Sequence, residues 1–309
     1  VHYRPGGSCG NVLSILAFFG WTAVPIARFG PGPISDRIKS EYASLEMNLD
    51  SFSLPSHVQP PTVVQSFTSL GKLAHTFSFT CPRCGKRLKR YHPVSAEIAE
   101  TVRSPRCEVF YTDRASAGSC ALAQRFRSCG SLIMFEPQRV GSGKYFERML
   151  HLAHIIKYSH QQIRNPINAG SPMEIQTLGA DGLRFRISKR SWSQVRAVRI
   201  ENIVDAAGSG DWLTAGLLFK LTGEAGPVAK LDSQTVRESL DFAQSCAAWN
   251  CGFVGARGGM VGKVPEVVLR SIERITSTRV RSLPPTPRTS FCPQAAACEP
   301  CIVNEGGTS

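Results

Sequence analysis

The segment that most constrains this chain is Asp205-Ala206-Ala207-Gly208-Ser209-Gly210-Asp211, running directly into Trp212-Leu213-Thr214-Ala215-Gly216. Val198 to Val204 before it reads as a β-rich run, and Trp212 to Leu221 after it as an apolar helix. The glycines therefore fall at a predicted helix start, where the first N–H groups have no partner within the helix and favour anions. Gly208, Ser209 and Gly210 offer such amides, and Asp211 adds a carboxylate that can take a proton from a hydroxyl. A plainer role for Asp211 is to complement the helix dipole. That role explains the carboxylate but neither the glycines nor Asp205.

Four further segments stand in a fixed order around this one. Gly6-Gly7-Ser8-Cys9-Gly10-Asn11-Val12 leads into an apolar helix ending near Gly20. Ile155-Ile156-Lys157-Tyr158-Ser159 reads as a strand followed by the turn His160-Gln161-Gln162. Ile175-Gln176-Thr177-Leu178-Gly179-Ala180-Asp181-Gly182 reads as a strand and a glycine turn. Ala247-Ala248-Trp249-Asn250 with Gly255-Ala256 closes the series.

Together, across roughly residues 5 to 270, these segments resemble the PfkB, or ribokinase-like, carbohydrate kinases, whose signatures are written G-G-x-x-x-N-V-A, N-x-x-E, T-x-G-x-x-G and D-T-x-G-A-G-D. The resemblance implies ATP-dependent phosphoryl transfer to an alcohol of a sugar, polyol or nucleoside-like molecule, with Mg²⁺ on the phosphates. Asp211 would be the catalytic base, and the amides of Gly208, Ser209 and Gly210 would stabilise the transferring group. Gly7 and Asn11 would face the substrate, although Asn11 serves equally well as a helix cap. Lys157, Thr177, Gly179, Gly182, Asn250 and Gly255 would lie along the nucleotide.

The departures from that pattern are specific. The chain opens at Val1, five residues before Gly6-Gly7, so the family's opening strand is expected to be missing and the chain to be a fragment or processed form. Gly30-Pro31-Gly32-Pro33 stands where Gly-Asp-Asp is usual, and Ala206 where Thr is usual. Ser159 and Gln162 replace Asn and Glu, which thins the Mg²⁺ shell. A noncatalytic nucleotide-binding regulator is the alternative these changes favour.

Residues 96 to 255 alternate strand and helix patterns, with Ser131-Leu132-Ile133-Met134-Phe135 as a buried parallel strand. The expected fold is α/β, a doubly wound and mostly parallel sheet of ribokinase-like type with a small β-rich lid. Residues 1–282 form the kinase domain, and residues 283–309, which follow the break at Pro284-Pro285, form a tail rich in Pro and Cys. The lid is placed at 56–95, where Val63 to Phe67 and His75 to Phe79 alternate like short strands.

Inside that lid Cys81-Pro82-Arg83-Cys84-Gly85 forms a C-x-x-C-G knuckle, and two thiolates at that spacing suit one tetrahedral Zn²⁺. The remaining ligands are either Cys298 and Cys301 of the tail or His75 and His92 nearby; otherwise the two are reduced thiols in a turn. Arg83, Lys86, Arg87, Lys89 and Arg90 beside Tyr91 and His92 have the composition of a nucleic-acid surface, and also of a solvated loop. A zinc-containing nucleic-acid-binding protein on a kinase scaffold is thus a third reading.

With 36 Lys and Arg against 23 Asp and Glu, the net charge of +13 points to anionic partners, of which nucleotide phosphate is the simplest. No 18-residue apolar span or secretory signal is evident, so a membrane role is not expected. The odd count of 11 cysteines fits thiols in a reducing cytoplasm. Cys9, Cys107, Cys120, Cys129, Cys246 and Cys251 sit among apolar residues or glycine and read as small core residues. Three other motifs fall away. Gly6 to Gly10 has no preceding strand for a nucleophile elbow, Gly141-Ser142-Gly143-Lys144 lacks the rest of a P-loop, and His151 and His154, three apart on an expected helix, lack a zincin carboxylate.

Overall fold

The computed structural model describes residues 4–52, 57–67, 75–103, 107–167, 173–188, 190–223, 232–278 and 280–281. In chain order the first elements are α1 (Ser8–Phe18), α2 (Pro33–Ala43), β1 (Val64–Phe67), β2 (His75–Ser78) and α3 (Ala96–Thr101). Next come β3 (Val109–Thr112), α4 (Ala117–Ser128), β4 (Leu132–Phe135), α5 (Lys144–Leu152) and β5 (Ile155–Ser159). They are followed by β6 (Met173–Thr177), a 3-10 turn (Gly179–Asp181), β7 (Leu183–Ile187), β8 (Ser193–Val195) and β9 (Arg199–Ile200). The last are α6 (Ser209–Gly223), α7 (Ser233–Cys251), α8 (Pro265–Thr278) and β10 (Val280–Arg281).

Six strands form one sheet in the order β3-β4-β5-β6-β7-β8, with β3 to β6 parallel and β7 and β8 antiparallel. The mostly parallel α/β sheet is the one expected. Parallel strands covered on both faces need apolar side chains in both directions. All four residues of β4 are accordingly buried. Leu132 and Met134 enter the core shared with α1, α6, α7 and α8, while Ile133 and Phe135 enter the one shared with α4 and α5.

Helix α6 is apolar all round because it lies inside the molecule, and Trp212, Leu213, Ala215, Leu217, Leu218 and Leu221 all belong to the first core. A smaller cluster joins α2 to the loops beside it, with Phe52 edge-on to both Phe29 and Tyr42 at centroid distances of 4.7 and 5.4 Å.

The expected pair of short strands is present as an antiparallel hairpin, β1 with β2, in the register Val64 to Ser78. Beyond β2 an isolated antiparallel bridge between Thr80 and Arg87 closes the Cys81–Gly85 knuckle. There the Gly85 N–H donates to the Cys81 carbonyl at 2.9 Å and the Cys81 N–H to the Lys86 carbonyl at 2.9 Å. Gly85 adopts φ 69°, a conformation that glycine takes without a Cβ penalty. The basic residues Arg83, Lys86, Arg87, Lys89 and Arg90 are all exposed in and just after this knuckle.

Several expectations need correction. Of the run Val198 to Val204 only Arg199–Ile200 is strand, paired parallel with β10. The N–H groups of Val204 and Asp205 turn instead to the Cys251 carbonyl at the end of α7, at 2.8 and 3.2 Å. His151 and His154 do not share a helix, because α5 stops at Leu152. His154 Nδ1 accepts from the Ile133 N–H at 3.0 Å, and burial followed by the nearby Arg127 charge holds its pKa down at about 4. Cys120, Cys246 and Cys251 are buried as core residues, but Cys9 and Cys107 are half-buried and Cys129 is exposed beyond the end of α4. The tail from 283, with Cys298 and Cys301, lies outside the described residues. Among those residues no helix is long and apolar enough to cross a membrane.

Helices α6 and α7 approach closely at Gly216, where an added Cβ would sit 2.6 Å from Cys246 Sγ and 3.1 Å from the Ala243 Cα. Gly216→Ala is therefore expected to destabilise the fold by about 1–3 kcal/mol through overpacking. Adding Cys246→Ala should return part of the loss, as read from urea denaturation of the single and double variants.

Candidate active site

Asp205 organises the start of α6. Its carboxylate accepts from the Ala207 N–H at 2.9 Å and from the Gly255 N–H at 2.8 Å, tying the α6 entry to the loop after α7. Asn250 adds to this tie, donating to the Ala207 and Gly255 carbonyls at 2.8 and 3.3 Å and accepting from the Gly259 N–H at 3.0 Å. Trp212 Nε1 donates to the Ala256 carbonyl at 3.0 Å. The two loops are drawn so near that a Cβ on Gly208 would lie 2.4 Å from the Ala256 Cα, and Gly208 has φ 75°. Only glycine fits there.

Beyond Gly208 the chain enters α6. The Ser209 N–H reaches back to the Ala206 carbonyl at 3.2 Å, and the helical ladder begins with Trp212 N–H on the Gly208 carbonyl at 2.9 Å. Among the described residues no backbone carbonyl takes the N–H of Gly210 or Asp211. These are the donors that a helix start leaves for an anion.

Asp211 is buried to 9% exposure and lines an open cleft. Asn11, on α1, donates to its carboxylate through Nδ2 at 2.6 Å. Asp211's pKa is pushed up to about 7, first by burial and then by the negative charge of Glu136. The Asn11 hydrogen bond, the Lys157 charge and a Ser8 hydrogen bond act in the opposite direction without cancelling the rise. A carboxyl in this range accepts protons near neutral pH.

Gly7, Asn11, Lys157, Thr177, Gly179, Gly182, Gly208, Ser209, Gly210 and Gly255 all lie along this extended cleft, and within it direct contacts join Asn11 to Asp211 and Lys157 to Gly210. Thr177 ends β6, and beyond it Gly179 and Gly182 adopt φ 63° and 93° in the turn. A Cβ on Gly182 would come within 2.2 Å of the Val195 carbonyl oxygen. Two placements differ from expectation. Asn250 does not line the cleft, because it is fully buried and its amide is committed to backbone. Lys157 lies on the cleft, but its ammonium is committed to the Glu136 carboxylate and the Gly210 carbonyl, the latter at 3.2 Å.

Three residues that the sequence reasoning missed complete the floor. Glu136, directly after β4, pairs with Lys157 and accepts from Thr214 at 2.7 Å and Tyr111 at 3.0 Å. Arg257 is buried, donates from Nε to Asn11 Oδ1 at 2.9 Å and pairs with Glu41 of α2. Asp113 accepts from Cys9 Sγ at 3.1 Å, and burial raises that thiol's pKa. Glu136 was legible as a charge closing a wholly apolar strand, and Arg257 as a lone charge among Gly255, Gly258 and Gly259.

Among the described residues the knuckle forms no metal centre. Among the described residues no group of three or more His, Cys, Asp or Glu side chains could hold a metal ion, so His92 does not join Cys81 and Cys84. The side chain of His75 and both tail cysteines lie outside what is described.

Residues 146–261, from α5 through the loop after α7, match the family described as pfkB family carbohydrate kinase. This part of the chain is similar to the PfkB carbohydrate kinases. An uncharacterized sugar kinase of Dictyostelium discoideum is 34% identical over 64 residues, a stretch that is 21% of this chain and 16% of that relative. Among solved structures, the fructokinase of Vibrio cholerae O395 with fructose, ADP and calcium ion matches with a TM-score of 0.63 at 18% identity, over 84% of this chain and 89% of that one. The aminoimidazole riboside kinase of Salmonella enterica, complexed with aminoimidazole riboside and an ATP analog, matches with a TM-score of 0.64 at 20% identity, over 87% and 92%. At these identities the structural likeness establishes the ribokinase-like fold. The match to the PfkB family covers the Asp211 turn and the Thr177–Gly182 turn but stops short of Gly7, Asn11 and the β1–β2 hairpin.

Because Asp211's folded pKa lies above its ordinary value, the stability it contributes is present at low pH and lost as pH rises to about 7. Asp211→Asn removes that loss. The variant should melt a few degrees above the parent at pH 8, with the gain shrinking as pH falls from 7 towards 4, in thermal melts across that range.

Proposed function

We propose that this chain transfers the γ-phosphoryl group of ATP to a hydroxyl of a sugar, nucleoside or similar polyol, with Asp211 as the base. The observation that best supports this is a carboxyl titrating at about 7 beside the unsatisfied amides that open α6, inside the cleft. The substrate hydroxyl donates to Asp211, which takes its proton as the oxygen bonds to the γ-phosphorus and ADP leaves with the bridging oxygen. The free amides of Gly210 and Asp211, with those of Gly208 and Ser209 beside them, receive the phosphoryl charge. The Vibrio and Salmonella kinase structures were obtained with such pairs, fructose with ADP and a riboside with an ATP analog, which supports this reading.

On the substrate side stand Gly7 and Asn11, with the β1–β2 hairpin as a lid; on the nucleotide side stand Thr177, Gly179, Gly182 and Gly255. Mg²⁺ binds few protein ligands and keeps several waters. The neutral oxygens of Ser159 and Gln162 at the end of β5 line the cleft and fit an ion held chiefly by phosphate and water. When bound, it screens the phosphate charge. A regulator that binds nucleotide without turnover is the second reading, favoured by those same neutral side chains.

Asp211→Asn should lower kcat by about 10²–10⁴-fold while ATP affinity stays within a few-fold, since a proton acceptor is lost and shape is kept. For the parent, kcat/KM should rise about tenfold per pH unit below 7 and level above it. Coupled ADP-release assays across sugars and nucleosides measure both. Nucleotide binding without turnover on any of them would instead establish the regulator.

The glycines separate fold from chemistry. A Cβ on Gly210 meets only the Lys157 ammonium, at 3.8 Å, whereas one on Gly208 collides with Ala256 backbone. Gly210→Val should fold with parent-like circular dichroism yet bind nucleotide more weakly, while Gly208→Val should lose stability first. Unchanged nucleotide affinity and rate in Gly210→Val would remove the amide site from the mechanism.

A further inference from the structure

Asn11 holds two charged partners at once, and the chemistry of one fixes how it meets the other. A side-chain amide carries a donor end and an acceptor end of nearly equal size, so packing alone does not choose between its two orientations. A guanidinium only donates. Since Arg257 Nε lies 2.9 Å from one end of the Asn11 amide, that end must be the carbonyl. The other end, 2.6 Å from Asp211, is then the NH₂ group.

Arg257 is itself held in place. It is buried, ion-paired with Glu41 on α2, and lies with its guanidinium carbon 5.7 Å from the centre of the Tyr42 ring. We propose that Arg257 is a positioning residue that locks the Asn11 amide with its NH₂ towards Asp211 and so keeps the base ionisable. The inference rests on Asp211 being the base, and no contact of Arg257 with substrate is required.

The other groups facing this pair are Glu136 after β4, Lys157 on β5 and Tyr111 on β3, with Ser8 and Cys9 on α1 and Asp113 after β3. None of them bonds to Asn11 Oδ1 among the described residues. Without the arginine the amide is free to turn its carbonyl to Asp211, which disfavours the carboxylate. The through-space loss of a cation acts in the same direction, so the test must separate the two.

Arg257→Met removes both the charge and the donor, and Arg257→Gln removes the charge but retains an N–H donor. The direct readout is the ¹³C carboxyl titration of Asp211 in the whole chain without ligands, assigned by its disappearance in Asp211→Asn. Arg257→Met should raise the titration midpoint by about one pH unit, and Arg257→Gln should return it most of the way. The acid limb of kcat/KM should move by the same amount. Equal shifts in both variants would assign the effect to charge and overturn the proposal, as would no shift in Arg257→Met. Glu41→Gln, which retains Arg257, should not raise the midpoint, and a rise there would also count against it. A parent protein with no turnover on any acceptor would defeat the kinase reading while leaving the carboxyl titration as an independent measure of the Arg257 effect.

Discussion

Lys157 carries its ammonium at a position with 2% exposure, and a cation so far from water must be paired to persist. Its partners come from two directions, the Glu136 carboxylate after β4 and the Gly210 carbonyl in the first turn of α6. Glu136 in turn accepts from Tyr111 on β3 and Thr214 on α6. One buried ion pair thereby joins three parallel strands to the helix whose N-terminus forms the site. Removing either partner would strand a charge, which costs far more than the net contribution of the pair.

That pair also sets the electrostatics of Asp211. Glu136 and Lys157 act on it with opposite signs, burial adds to the effect of Glu136, and the sum leaves the carboxyl near neutrality rather than in its ordinary acidic range. Such a group is unfavourable for the fold in its ionised form. It persists because the turn that presents it is determined several times over, by Asp205, Asn250 and Trp212 and by the approach of Gly208 to Ala256. Strain or buried charge retained in a rigid frame is typical of functional sites.

The two core layers were largely legible beforehand. The run Leu132 to Phe135 reads as a buried parallel strand and the stretch from Trp212 as an apolar helix, and both are buried as such. Local chemistry likewise announced the Gly85, Gly179 and Gly182 turns. The extent of Val198 to Val204 was misjudged because its β-branched composition says nothing of the Cys251 carbonyl that captures Val204 and Asp205. Cys129 was misplaced because its exposure depends on where α4 ends relative to the sheet.

Taken alone, the sequence determined the α/β class, the strand-and-helix order through most of the chain and the loop that holds Asp211, because periodicity and glycine chemistry act over a few residues. It did not determine which side chains meet across long separations. Asn11 lies 200 residues from Asp211 and 246 from Arg257, and Lys157 lies 53 from Gly210. Only the sheet order and the packing of α1 beside α6 bring these groups within hydrogen-bond range. The same packing turned Asn250 from an expected nucleotide contact into a clamp between loops, and committed the Lys157 ammonium to Glu136 and Gly210. Residue types can state which bonds are available, but the buried geometry decides which are made, since every polar group removed from water takes the partner that the fold places beside it.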